Sequence, residues 1–180
     1  MNLEKNKINQ IFLIGQSGSG KTTIGKKLSK NLSFDYLDTD EYIEKKLNLT
    51  ISEIFQKKGE PFFRSNEKDL VQELSLSKKI VISTGGGLPE NEDTFNLMKI
   101  NGFIIWIKSS PKEIEKRLIG SNRNHRPLLF NNNLNLIENL EAQLKKRYDV
   151  YSKADLIINN DNINENEATN LIEKELTNYG

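Results

Sequence analysis

The feature that most constrains this sequence is the run GQSGSGKT at positions 15–22, which matches the pattern G-x-x-x-x-G-K-[ST]. It follows the apolar run QIFLI at 10–14, which predicts a buried strand. It leads into residues 21–32, where apolar side chains recur at helical spacing. Glycines in such a loop allow backbone angles that side chains forbid, so successive amides can point at phosphate oxygens beside a helix N-terminus. A glycine-rich turn without a ligand is the alternative, and the strand–loop–helix context favours phosphate binding.

Short apolar runs alternate with helical patterns along the rest of the chain. Further strands are predicted at 34–37, 80–84, 103–107 and 156–158. Helices are predicted at 41–47, 51–55, 60–76, 111–119, 134–151 and 165–176. This alternation is typical of an α/β fold with a mostly parallel sheet, and the continuous apolar strands predict helices on both faces. A chain of 180 residues fits one domain, 1–180.

Composition excludes several kinds of chemistry. The chain has no cysteine and a single histidine, His125, so thiolate catalysis, Cys-ligated zinc and a poly-His metal site are excluded. The net charge of +1 argues against a nucleic-acid partner. No apolar run reaches the length of a membrane span, and residues 1–10 resemble no secretory signal, so we expect a cytoplasmic protein. The chemistry must come from carboxylates, lysine, arginine, hydroxyls and backbone amides.

The phosphate loop predicts a nucleotide and Mg²⁺ as ligands. Lys21 adds a positive charge at the β- and γ-phosphates, and Thr22 offers a hydroxyl to Mg²⁺. The strands at 80–84 and 103–107 end without a carboxylate, so Asp38 is the best second contributor to Mg²⁺, directly or through water. The residues predicted to bind the nucleotide here are Gly18, Ser19, Gly20, Lys21, Thr22 and Thr23.

Two further motifs follow predicted strands. Asp38 and Asp40 flank Thr39 after the strand at 34–37, and Thr39 or Asp40 could simply cap the next helix. Their position favours function, because ligands bind at the carboxyl edge of open α/β sheets. Gly85-Gly86-Gly87 follows the strand at 80–84, and the run favours close approach of the backbone to a small ligand over a tight turn.

Three arginines are candidate anion-binding groups. Arg64 is flanked by aromatic residues and precedes Glu67 by three positions. This pattern predicts either a surface ion pair with Glu67 or a guanidinium held in place to bind a carboxylate. Arg126 lies in a polar segment, which is typical of a mobile lid that carries a catalytic arginine. Arg147, taken alone, is typical of a surface residue. The Asn-rich stretches at 131–135 and 159–166 predict solvated loops without chemistry.

Together these motifs resemble the shikimate kinases, a family of small kinases with a phosphate-binding loop. The resemblance runs from about residue 10 to residue 155. The motifs that carry it are, in chain order, residues 15–22, Asp38-Thr39-Asp40, Gly59-Glu60 with Phe63-Arg64 and Glu67, Gly85-Gly86-Gly87, Arg126-Pro127-Leu128-Leu129, and Arg147 followed by Tyr151. The loop alone is widespread, but the whole set in this order is specific.

The resemblance implies a five-stranded parallel sheet flanked by helices, a substrate-binding segment at about 39–70 and a lid at about 120–133. It implies ATP-dependent phosphorylation of the 3-hydroxyl of shikimate by a monomer, on the route to chorismate and the aromatic amino acids. Asp40 would bind the ring hydroxyls and Arg126 would reach the ATP phosphates. Arg117 would line the adenine side. The remaining shikimate ligands would be Arg64, Gly85, Gly86, Gly87 and Arg147.

Two other functions remain open from the residues. A kinase for another small polyol acid, such as gluconate, would use the same arginine pair. A non-catalytic nucleotide-binding module could share the fold, although Lys21, Thr22, Asp40 and Arg126 argue against it.

Overall fold

The computed structural model describes residues 8–119 and 135–179. Five strands are formed: β1 (Gln10–Ile14), β2 (Asp35–Asp38), β3 (Ile80–Ser83), β4 (Phe103–Lys108) and β5 (Leu156–Asn159). The helices are α1 (Lys21–Leu32), α2 (Thr39–Leu47), α3 (Ile51–Lys58), α4 (Glu60–Leu74), α5 (Glu92–Asn101), α6 (Pro111–Ile119), α7 (Leu136–Tyr151) and α8 (Glu165–Asn178). A 3-10 turn, Leu88–Glu90, precedes α5.

The strands form one parallel sheet in the order β2-β3-β1-β4-β5. β1 therefore lies at the centre, where the order of the strands along the chain changes direction. In open parallel sheets, ligands bind outside the carboxyl ends of the strands at such a point. The predicted five-stranded parallel sheet is confirmed, and the loop at 15–22 leaves the central strand at this edge.

Side chains of β1 alternate between two apolar cores, because successive strand residues point to opposite faces. Phe12 and Ile14 pack on one face with residues of α2 to α5 and with Trp106 and Tyr151. Ile11 and Leu13 pack on the other face against α1 and α8. Every β1 residue is buried, as expected for a sheet covered on both sides.

The structure moves the start of α2 and adds one helix; the other predicted helices differ from the observed ones by up to three residues at an end. Asp38, rather than Thr39 or Asp40, caps α2: its side chain accepts hydrogen bonds from the backbone amides of Asp40 and Glu41. The helix therefore begins at Thr39, two residues before the predicted start. α5 was not predicted, and its start is marked by Asn91, whose side chain accepts from Thr94 N.

The segment at 39–70 covers α2, α3 and most of α4. The predicted lid at 120–133 lies outside the described residues. In the part of the chain that the structure describes, no helix is both long and apolar enough to cross a membrane.

Candidate active site

The phosphate loop has the backbone that its glycines predict. Gly15, Gly18 and Gly20 have φ values of 139°, 86° and 98°, a region that side chains strongly disfavour. Gly20 caps α1 without a side-chain hydrogen bond. The first turn of α1 contains no acidic residue, so its positive end is not neutralised locally. The loop therefore presents a helix N-terminus suited to an anion.

Lys21 lies inside the curve of this loop and is 8% exposed. Its Nζ donates to the carbonyl oxygens of Gly15, at 2.8 Å, and Gln16, at 2.9 Å. These contacts hold the ammonium group beside the amides that would receive phosphate oxygens. Lys21 also acts on the acidic side of the site, where its charge opposes the burial that raises the pKa of Asp40.

Thr22 and Asp38 form an oxygen pair across the gap between α1 and β2. Thr22 Oγ1 donates to Asp38 Oδ2 at 3.0 Å. Two oxygens at neighbouring corners of a Mg²⁺ octahedron, each about 2.1 Å from the ion, lie about 3.0 Å apart. The pair therefore has the chemistry and spacing of two Mg²⁺ ligands. Among the described residues, no group of three or more His, Cys, Asp or Glu could hold a metal ion.

Asp40 lies in the first turn of α2 with one oxygen enclosed. Its Oδ1 is buried and has no hydrogen-bond partner within the described residues. Burial, together with the nearby charge of Asp38, raises the pKa of Asp40 from 3.8 to about 6, against the opposing effect of Lys21. At neutral pH the group is therefore mostly ionised, yet close enough to titration to accept a proton.

The glycine run after β3 is where the candidate side chains converge. A Cβ on Gly85 would lie 2.5 Å from Asp40 Oδ1, and one on Gly87 would lie 2.5 Å from Arg64 Nη2. A Cβ on Gly86 would lie 3.3 Å from Arg147 Nη1. Two of these contacts are closer than any real side chain allows. The run is therefore required for the close approach of an aspartate and two arginines to the backbone.

Arg64 is held by two glutamates, one buried and one exposed. Its Nη1 donates to Glu67 Oε2 at 2.7 Å, while Nε and Nη2 both donate to Glu60 Oε1. The predicted pair with Glu67 forms, but Glu67 is only 2% exposed, so it is not a surface pair. Burial raises the pKa of Glu67 to about 7 despite the Arg64 charge. Arg64 is thus a guanidinium held in place, as carboxylate capture requires.

Arg147 reaches the same place from α7 and is not the surface residue that its sequence context indicates. Its side chain is 11% exposed, and its Nε donates to Glu90 Oε1 at 2.7 Å. One turn further along α7, Tyr151 donates its hydroxyl to the carbonyl oxygen of Gly86 at 2.6 Å. Two side chains on one face of α7 therefore fix the helix, Tyr151 to the glycine run and Arg147 to the 3-10 turn that follows it.

Arg117 and Asn160 form the other end of the site, beside the phosphate loop. Arg117 donates to Ser19 O and Ser109 Oγ, both at 3.2 Å, and to Asn160 O. The Asn160 side chain donates to Ser19 O at 2.7 Å and is 3% exposed. The expectation that the stretch 159–166 is a solvated loop is therefore wrong at Asn160, which is buried, and at its ends, where Asn159 lies in β5 and α8 begins at Glu165. The sequence of an asparagine-rich stretch does not indicate which of its asparagines will be buried.

A cavity of about 310 Å³ lies at the phosphate loop. Its lining includes Ser17, Lys21, Thr22, Asp38, Asp40 and Gly86 of the glycine run, whereas Arg64 and Arg147 do not line it. A second cavity of about 200 Å³ lies between Gly20, Thr23, Arg117 and Asn160. Both cavities adjoin the phosphate loop, and Gly20 and Thr23 line both of them. Arg126 lies outside the described residues.

The fold is a parallel sheet with the phosphate loop at its central strand. Beside the loop lie one aspartate, Asp40, and two arginines whose positions are fixed by ion pairs, Arg64 and Arg147. These features define a class, the small P-loop kinases that act on a carboxylate-bearing acceptor. The model of the shikimate kinase family matches residues 17–177. The chain is 42% identical to a shikimate kinase of Clostridium botulinum over 160 residues, covering 88% of this chain and 92% of that one. The chain belongs to the shikimate kinase family, whose members are ATP-dependent kinases that phosphorylate a hydroxyl group.

Solved structures agree with this assignment. The shikimate kinase from Acinetobacter baumannii in complex with shikimate superposes with a TM-score of 0.85, at 31% identity and 98% coverage of both chains. A gluconokinase from Sinorhizobium meliloti has a TM-score of 0.61 at 14% identity, covering 94% of this chain and 92% of that one. That likeness extends to the fold alone, so it does not favour gluconate as the acceptor.

Proposed function

We propose that this protein transfers the γ-phosphoryl group of ATP to the 3-hydroxyl of shikimate, giving shikimate 3-phosphate and ADP. The observation that carries the proposal is the convergence of Asp40, Arg64 and Arg147 on one glycine run beside the phosphate loop. Shikimate has a carboxylate on one side of its ring and hydroxyls on the other. The two arginines suit the carboxylate, and Asp40 suits a hydroxyl.

The nucleotide would lie along the phosphate loop. Amides of Gly18, Ser19 and Gly20 would bind its phosphates, with Thr23 and Arg117 on the side of the base. Thr22 and Asp38 would hold Mg²⁺, whose charge stabilises the β- and γ-phosphates when it is bound. Lys21 adds a fixed charge at the same phosphates.

Asp40 would orient the acceptor hydroxyl towards the γ-phosphorus. As the oxygen–phosphorus bond forms and the bond to ADP breaks, the hydroxyl proton passes to the Asp40 carboxylate. A pKa of about 6 leaves this carboxylate ionised at neutral pH and able to take the proton. Backbone groups of Gly85, Gly86 and Gly87 would line the ring, and Arg126 would contact the transferring phosphoryl group. All of these residues belong to one chain, so the proposal requires only a monomer.

An assay of ADP release with shikimate, with gluconate and without acceptor tests the proposal. Release should depend on shikimate. Release that depends on gluconate would assign the other polyol acid, and nucleotide binding without release would indicate a non-catalytic module. Lys21→Met should abolish turnover. Lys30→Met, which changes an exposed lysine on the same helix, is the matched control and should behave as the wild type.

A further inference from the structure

Glu90 is an acidic side chain beside the proposed carboxylate site for which the proposed reaction has no use. It ends the 3-10 turn that follows the glycine run, and its backbone amide donates to Gly87 O at 3.0 Å. Its carboxylate binds two cations from α7: Oε1 accepts from Arg147 Nε at 2.7 Å, and Oε2 pairs with Lys146 Nζ. Glu90 and Arg147 are 57 residues apart in the sequence.

The contacts of Arg147 fix the plane of its guanidinium. Besides the bond from Nε to Glu90, Nη1 donates to Gln143 Oε1 at 3.1 Å. Nε and Nη1 lie on different sides of the guanidinium, so two acceptors there restrict both its tilt and its rotation. The edge formed by Nη1 and Nη2 can then receive a carboxylate bidentately. A long side chain held in this way loses less conformational entropy when it binds.

The charges agree with a supporting role for Glu90. Burial alone would raise the pKa of Glu90, but the ion pairs with Lys146 and Arg147 outweigh it and hold the pKa below its ordinary value. Glu90 therefore stays ionised at neutral pH. An ionised Glu90 is a stronger acceptor for Arg147 Nε than a neutral carboxyl group would be.

We propose that Glu90 is a positioning residue that holds Arg147 in the orientation needed to bind the acceptor's carboxylate. This inference rests on the proposed function, since it assumes that Arg147 binds that carboxylate. It predicts that Glu90 affects the affinity for the acceptor through Arg147 and leaves the phosphate loop and Asp40 undisturbed.

The test measures KM for shikimate, KM for ATP and kcat in Glu90→Ala, Glu90→Gln, Arg147→Ala and the double variant Glu90→Ala/Arg147→Ala. Loss of one charge-assisted hydrogen bond should raise the shikimate KM of Glu90→Ala roughly tenfold, with kcat and the ATP KM within about twofold of wild type. Glu90→Gln keeps an acceptor for Nε, so it should recover most of the affinity. In the double variant, removing Glu90 should add nothing to the effect of Arg147→Ala.

Lys146→Gln is the matched control, because it removes the other cation bound to the same carboxylate without touching Arg147. Its shikimate KM should change by less than about twofold, as expected for an ion pair with an exposed lysine. If Arg147→Ala leaves the shikimate KM unchanged, Arg147 does not bind the acceptor's carboxylate and the proposed function is wrong at that residue. The inference about Glu90 depends on that role and is then wrong as well.

Three results would overturn the inference while leaving the role of Arg147 intact. One is an unchanged shikimate KM in Glu90→Ala. Another is an equal additional loss from Glu90→Ala with and without Arg147, which would mean that Glu90 only holds α7 in place. A third is a fall in the shikimate KM, which would mean that Glu90 competes with the substrate for Arg147. Thermal unfolding of each variant separates these outcomes from a loss of fold.

Discussion

Replacing Asp40 with asparagine should stabilise the folded protein while it impairs turnover. Burial raises the pKa of Asp40 from 3.8 to about 6. Between about pH 4 and pH 6 the folded state therefore holds a proton that the unfolded state has released. By linkage, the free energy of unfolding contributed by this group decreases as pH rises through that window and is lowest above it. Asparagine keeps the shape and removes the charge that the fold disfavours.

The pKa difference sets the size of the effect. A rise from 3.8 to about 6 corresponds to about 3 kcal/mol in the free energy of unfolding once both states are ionised, which is an upper bound because solvent screens part of it. For a chain of this size, 1 kcal/mol shifts the Tm by about 2–4 °C. Asp40→Asn should therefore gain up to about 3 kcal/mol at pH 8 and little at pH 4. Loss of a general base should lower its kcat by about 10²–10⁴-fold.

Urea unfolding followed by circular dichroism at pH 4, 6 and 8, together with kcat from the ADP-release assay, measures both effects. Glu67 titrates in both proteins, but the Asp40 charge contributes to its raised pKa, so the difference between their stabilities measures Asp40 together with its effect on Glu67. Asp35→Asn, at an exposed position at the start of β2, is the control and should change neither quantity. The wild-type kcat/KM should fall about tenfold per pH unit below pH 6.

Two results would refute this reasoning. A stability difference that does not grow from pH 4 to pH 8 would mean that the Asp40 charge does not destabilise the fold. A kcat within a few-fold of wild type would remove Asp40 from the proton transfer, whatever its effect on stability.

Three further predictions concern the acceptor site and the lid. Arg64→Lys loses the planar guanidinium with its paired donors, so it should raise the shikimate KM by about tenfold or more while the ATP KM changes little. An unchanged shikimate KM would mean that Arg64 only forms ion pairs with Glu60 and Glu67. Gly87→Ala places a Cβ 2.5 Å from Arg64 Nη2, so it should raise the shikimate KM by about tenfold while the circular dichroism spectrum stays unchanged. Wild-type kinetics would show that Arg64 need not lie beside Gly87 for shikimate to bind. Arg126→Ala should lower kcat by about 10²–10³-fold and hardly change the affinity for shikimate. The loss should be smaller than that of an arginine finger because Lys21 remains. A wild-type kcat would exclude Arg126 from the reaction.

Much of the fold and the phosphate loop followed from the sequence because their signals are local. Buried strands, amphipathic helices and the glycine pattern at 15–22 each occupy a short window, and strands that alternate with helices indicate a parallel sheet. The order of its strands was not predicted and came from the structure. The same locality explains the errors. The start of α2 depended on whether Asp38, Thr39 or Asp40 capped it. The apolar residues of α5 do not share one face, since Phe95 and Met98 are buried while Ile100 is exposed, so its helical pattern is weak.

The sequence by itself determined that this chain has a phosphate loop on a parallel sheet, and its motif set was specific enough to indicate the shikimate kinase family. Only the tertiary structure decided how the site is held. Glu90 meets Arg147 across 57 residues, and Asn160 reaches Ser19 across 141. The raised pKa values of Asp40 and Glu67 depend on burial that no local pattern encodes. Contacts and desolvation at the sheet edge arise only when distant segments are packed together, so they could not be predicted from residue spacing.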